Sequence, residues 1–266
     1  MRQLIFTSAP RGVDLGRSGF CTVARSADLG ERVCRELERR STYEPLKDRS
    51  PRIYRHQLLN TSEGAVHVLT RFIGGGRDYS GRTNYLAHHL ILDPSETVSA
   101  PSPAEIFANW TGWRDVWEGP PRLLKPSEGP PLPRHAPLPL PAEAWRSLTG
   151  DAGRAALLVA GPGWRVVCQP REEIRLLDLF RESSALMPPG ASWDITFTTC
   201  LLAGDSAADF HWIGGPSDSP VMAETARPGH LRTLALGAPD QIPVPVSIAS
   251  QLARHGAPVA TPTDLA

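Results

Sequence analysis

The chain opens on a short apolar run. Leu4-Ile5-Phe6 inside residues 3–9 predicts a strand, and 20–24 predicts a second. Between them lies a glycine-rich loop, Pro10-Arg11-Gly12 through Gly16-Arg17-Ser18-Gly19, which suits a hairpin. Leu29, Val33 and Leu37 then recur at every fourth position with Cys34 beside them, predicting a helix over 29–40 that Ser26 or Asp28 caps. Residues 53–59 and 65–73 predict a second hairpin about the turn 60–64. Alternation puts Val66, Val68, Thr70 and Phe72 on one face and His67, Leu69 and Arg71 on the other. Gly74-Gly75-Gly76 is expected to break the strand, and Asp93-Pro94 to stop another over 86–92.

Ser102-Pro103-Ala104-Glu105 combines an N-cap, a proline at the first helical position and a capping-box acid, so a short helix follows over 103–110. Trp110, Trp113 and Trp117 cluster after it and are read as core. Nine prolines in 119–141 exclude a regular helix or central strand and predict a linker. Its Pro130-Pro131-Leu132-Pro133-Arg134 stretch also fits an SH3-type ligand. Beyond it, helices are predicted over 143–148 and 153–159, and a strand over 164–168. The longest helix follows over 170–187, with Ile174, Leu177, Leu179 and Phe180 as its core stripe. A strand over 193–202 has its neighbour at 210–213, and a Pro-rich tail holds one short helix at 246–254. The fold class is α+β, with mixed or antiparallel sheets and flanking helices. Two units, 1–118 and 142–236, are joined by the linker 119–141 and followed by the tail 237–266.

Composition narrows the function more than the fold. Lys plus Arg equals Asp plus Glu at 28 each, so no basic stripe offers itself to nucleic acid or anionic membrane. Lysine occurs only at Lys47 and Lys125, which leaves arginine as the cation. Cys21, Cys34, Cys168 and Cys200 stand far apart in apolar surroundings and read as reduced core thiols. The N-terminus has no apolar leader, and no run is long enough to span a bilayer, so a cytoplasmic protein is expected. The Gly-x-x-x-x-Gly-Lys loop, the dinucleotide-binding glycine pattern and His-Glu-x-x-His are all absent, and no cofactor is indicated.

The densest chemistry lies in 76–92. Arg77, Asp78, Tyr79, Arg82 and Asn84 fill a polar loop that runs into His88-His89. On a strand, adjacent histidines face opposite sides, so they cannot share one metal. One buried and one surface histidine is the expected arrangement, and no metal site is assigned. Arg11 and Arg17 of the first loop join Arg77, Asp78, Tyr79, Arg82 and Asn84 as a candidate partner-binding surface. An alternative builds an anion-handling catalytic pocket from Arg82, Asn84, His88 and His89, acting on a nucleotide or phosphoester.

Two blocks, 4–24 and Asp78-Tyr79-Ser80-Gly81-Arg82-Thr83-Asn84-Tyr85-Leu86-Ala87-His88-His89, resemble the N-terminal domain of the bacterial GTPase-associated protein family. The stretches 145–153 and 193–199 resemble that family's middle domain. The resemblance implies a non-catalytic adaptor that binds a small Ras-like GTPase, or another protein of the same signalling or conflict system. It carries over no catalytic residues. It also implies a compact version of the family, without a further effector module. An inserted arginine (Arg11, Arg17 or Arg82) acting in GTPase activation is a weaker option.

Overall fold

The computed structural model describes residues 1–44, 49–61, 64–134, 141–225, 231–238 and 242–256. Parts of the expected 60–64 turn, the linker 119–141 and the tail 237–266 therefore lie outside the described residues.

The N-terminal strands are β1 (Arg2–Ala9), β2 (Gly19–Ser26), β3 (Ile53–Thr61), β4 (Gly64–Arg77), β5 (Thr83–Leu92) and β6 (Arg122–Leu124). Four more follow: β7 (Trp164–Cys168), β8 (Phe197–Thr198), β9 (Trp212–Pro216) and β10 (Arg232–Ala235). All ten belong to one sheet, in the order β10-β7-β9-β8-β3-β4-β5-β1-β2-β6. The β1–β2, β1–β5, β3–β4, β4–β5 and β3–β8 pairs are antiparallel, and the outer pairs are parallel, so the sheet is mixed. Residues 122–124, inside the Pro-rich stretch, pair with β2 at the sheet edge, where proline's missing N–H is tolerated.

Helices cover both faces: α1 (Glu31–Arg39), α2 (Pro94–Thr97), α3 (Pro103–Asn109), α4 (Glu143–Thr149), α5 (Ala155–Val159), α6 (Leu176–Ser184), α7 (Pro220–Glu224) and α8 (Ile248–His255). The period-two reading of β4 is realised. Val66, Val68 and Phe72 pack with Leu29, Cys34 and Leu37 under α1, while Leu69 joins the opposite core. That opposite core runs without a break from Leu90 and Phe107 to Trp145, Trp164, Phe180 and Trp212. One apolar layer thus spans sequence on both sides of the Pro-rich stretch.

Local expectations fail where side chains or backbone compete with the regular pattern. The three glycines do not end β4, which runs on to Arg77. A register shift between Gly74 and Arg77, with Gly76 at φ +71°, absorbs them. A Cβ at Gly74 would lie 2.5 Å from the Ser50 Cβ, so a bare glycine lets that segment approach the strand. The helix expected at 170–187 is shorter. Arg171 sits at φ +80°, a tight 3-10 turn spans Glu172–Arg175, and α6 starts only at Leu176. The tighter turn swings Ile174 off the buried stripe to 72% exposure, whereas Leu177, Leu179 and Phe180 are buried as expected. The strand expected over 193–202 shrinks to β8. Thr198 Oγ1 donates to the Cys200 carbonyl, and Thr199 exchanges bonds with the Tyr54 backbone, which diverts the chain from a ladder. α1 begins after Gly30 without a side-chain cap, so neither Ser26 nor Asp28 fills that role. Ser102 does cap α3, accepting from the Glu105 N–H at 3.2 Å.

Among the described residues no helix is long and apolar enough to cross a membrane. All four cysteines are buried and unbridged.

Candidate recognition site

The β1–β2 and β4–β5 loops meet because β1 and β5 are antiparallel neighbours. Thr7 lies opposite Leu86, so both loops leave the sheet at the same end. Asp78 joins them. Its Oδ2 accepts from the Ser8 hydroxyl at 2.8 Å, while Oδ1 takes the Ser80 N–H, the Ser80 hydroxyl and the Arg82 N–H within 2.7–2.9 Å. The Ser80 hydroxyl above all, with Ser8 and the two amides, holds the Asp78 carboxyl well below the usual carboxylate range. Gly81 turns the tip at φ +83°, and Asp78 N donates to the Arg82 carbonyl at 2.7 Å to close it. Asn84 Oδ1 accepts from Ser8 N and Thr7 Oγ1, each at 3.2 Å, and so pins the root of the loop to β1.

The arginines fall into two groups. Arg17 reaches Glu38 of α1 at 3.2 Å, Arg77 donates to the Gly81 carbonyl at 2.6 Å, and Arg82 bonds Ser80 at 2.8 Å and Asp78 at 3.3 Å. Arg11 is exposed and makes no ion pair among the described residues. Apolar tips accompany them: Leu15 is fully exposed, and Tyr79 and Phe20 are partly so. Behind the loops, Phe20 stacks on Tyr85 at 4.4 Å between centroids, and Tyr85 continues to Tyr43. Burial pushes both tyrosine hydroxyls up to about 12, so these rings are packing elements and not titrating ones.

His88 and His89 do point to opposite faces, but both are fully buried, contrary to the expectation of one surface histidine. Each is consumed by hydrogen bonds that fix its tautomer. On one face Arg114 N donates to His88 Nδ1 at 3.1 Å, so His88 Nε2 carries the proton and donates to Gln3 Oε1 at 3.0 Å. On the other face the Ser41 hydroxyl donates to the Leu37 carbonyl and therefore accepts from His89 Nε2, at 2.8 Å. His89 Nδ1 then accepts from Thr70 Oγ1 at 2.8 Å. Burial drives His89 down to about 3 and His88 well below its ordinary value, so both are neutral. The convergent pocket of Arg82, Asn84, His88 and His89 does not form: Arg82 sits on an exposed turn, and the two imidazoles are sealed on opposite sides of the sheet. His56 and His67 also come together, at 3.1 Å. His56 Nδ1 donates to the Ile195 carbonyl, which leaves Nε2 to accept from His67. Among the described residues no cluster of three or more His, Cys, Asp or Glu could hold a metal ion.

One feature escaped the sequence reading. Arg52, Arg71, Arg114 and Arg122 come together around Trp113 and Trp117 in a cleft of about 810 Å³ on the face away from α1. These residues are spread over 52–122, and only the tryptophan spacing hinted at a cluster.

Sheet, helices and loop site together define an α+β protein organised on one mixed sheet. Residues 1–130 match the family described as GTPase-associated protein 1, N-terminal domain type 2, so the likeness carried by 4–24 and 78–89 extends over that whole stretch. No curated protein matches the chain, and no solved structure does.

Proposed function

We propose that the protein is a non-catalytic adaptor that binds a small Ras-like GTPase, or another protein of the same bacterial system, through the paired loops 10–19 and 77–84. One observation carries this reading. The two arginine-bearing loops share one end of the sheet, braced by Asp78 and Asn84, with Arg11, Leu15 and Tyr79 turned outward. Arginine and tyrosine beside exposed apolar tips are the composition of a protein-binding hot spot. The family description, GTPase-associated, supports a GTPase-linked partner. A cytoplasmic role in signalling or conflict belongs to the same proposal.

The test is a pull-down with a small GTPase of the same cell, loaded with GDP or with a non-hydrolysable GTP analogue. Capture by the wild-type chain, weakened by Arg11→Ala and Tyr79→Ala, is the expected result. Failure to bind in either nucleotide state overturns the partner assignment. The inserted-arginine reading separates cleanly from adaptor binding. An adaptor leaves GTP turnover unchanged in Arg11→Ala, Arg17→Ala and Arg82→Ala, even where affinity falls. A loss of stimulated turnover in any of them replaces the adaptor with an activator.

A further inference from the structure

The cleft on the α3 face is built around a cation that its surroundings only partly neutralise. Arg71 rises from the middle of β4 and is 7% exposed, with its guanidinium 5.5 Å from the Trp113 ring. Its carboxylate partner is Asp115, which Arg52 shares at 3.1 Å, so two guanidinium groups divide one half-exposed acid. The Nε of Arg71 is buried without a hydrogen-bond partner. Arg122 lies 6.0 Å from the Trp117 ring and spends its charge on Glu128. Arg114 is exposed on the same wall and makes no ion pair among the described residues. Lining acids number two, Asp115 and Glu118, against four arginines.

That wall is held in place. The backbone N–H of Arg114 donates to His88, whose far nitrogen is tied to Gln3 in β1. The buried histidine therefore works as a strut that sets the 113–118 segment at a fixed height above the strands. A volume of about 810 Å³ lies within the usual range for small-molecule sites, about 300–1,000 Å³, and far exceeds what an inorganic anion fills. Tyr54 and Trp117 add flat apolar walls beside the guanidinium planes, which themselves stack on rings.

We infer that this cleft binds a small organic anion bearing a flat ring, of the size and chemistry of a mononucleotide, with Arg71 and Arg114 taking the anionic group. It is distinct from the loop surface assigned to protein binding and does not depend on that assignment.

Trp113 and Trp117 supply the readout. Tryptophan fluorescence of the full chain is titrated with nucleoside monophosphates, with inorganic phosphate as the ring-free probe and the unphosphorylated nucleosides as the charge-free one. A saturable change with the monophosphates, at least tenfold tighter than with either control, is the expected result. Arg114→Ala, an exposed position that leaves the core untouched, should weaken it about tenfold, the loss of one charge-assisted contact. Arg71→Lys keeps the charge but loses the planar fork and should weaken it further; a thermal melt beside each titration confirms that the variant is folded. Absence of a saturable response, or equal binding by folded Arg114→Ala, overturns the site. Phosphate binding as tightly as the monophosphates overturns the ring-bearing ligand.

Discussion

At the scale of single residues, the histidines carry the clearest consequence. His56 and His89 are driven by burial to about 3, and burial holds His88 well below its ordinary value. In the unfolded chain each titrates near 6.5. Folding therefore excludes protons that the unfolded state binds below that value. Their contribution to stability is whole above about pH 6.5 and is lost progressively as pH falls towards 3. The slope is about 1.4 kcal/mol per pH unit for each proton excluded. Urea midpoints should fall steadily from pH 7 to pH 5, and a flat profile over that range would show that the histidines are hydrated in the folded protein. The adjacent pair illustrates what a sequence shows about a residue and what it hides. Strand alternation places His88 and His89 on opposite faces. It does not reveal that each meets a chain of partners, Arg114 and Gln3 on one side, Ser41 and Thr70 on the other. Those partners lie 19 to 85 residues away, beyond any local pattern.

Element by element, legibility followed the strength of periodicity. The strands of 2–92 and helix α1 carry their apolar faces in the sequence and formed nearly as read. β7 formed over 164–168 as expected. What failed did so at residues whose side chains or φ angles override the pattern: Arg171, Thr198, Thr199 and the glycines of β4. The 78–82 turn is legible in the sequence only as a polar loop; that the Asp78 carboxylate closes it is visible in the structure. Its brace is testable. Asp78→Ala releases the Ser80 and Arg82 amides and the Ser8 hydroxyl together. Faster hydrogen exchange at Ser80 and Arg82 is expected, with weaker partner capture and a melting temperature close to wild type. Unchanged exchange would mean that the backbone bonds of the turn suffice without the carboxylate.

For the whole molecule, the telling feature is the single sheet. The proline density of 119–141 pointed to two units, yet β8 lies against β3 and a common core runs beneath both. Pairing between distant segments leaves no local trace, so a sequence cannot display it. A fragment ending at residue 130 keeps β1–β6 but loses β8 from the side of β3, together with Trp145, Phe180 and Trp193 from the shared core. Arg55, His56 and their neighbours would then form an open edge above an uncovered apolar layer. Such a fragment is expected to aggregate or to self-associate in sedimentation experiments to a greater extent than the 266-residue chain. A well-behaved monomeric fragment would place the cooperative boundary at the end of the family match.

The β3–β8 seam also bears on inheritance. A stretch that can be recognised as a family domain is commonly taken to be a portable part, free to be joined to new neighbours. Here the portable part reaches residue 130, but its β3 flank is continued by two residues, Phe197 and Thr198, and through them by β9, β7 and β10, all much later in the chain. A chain that joined residues 1–130 to a different second half would need another segment able to cover the flank of β3. The freedom to join this part to a new neighbour is thus limited at a strand two residues long.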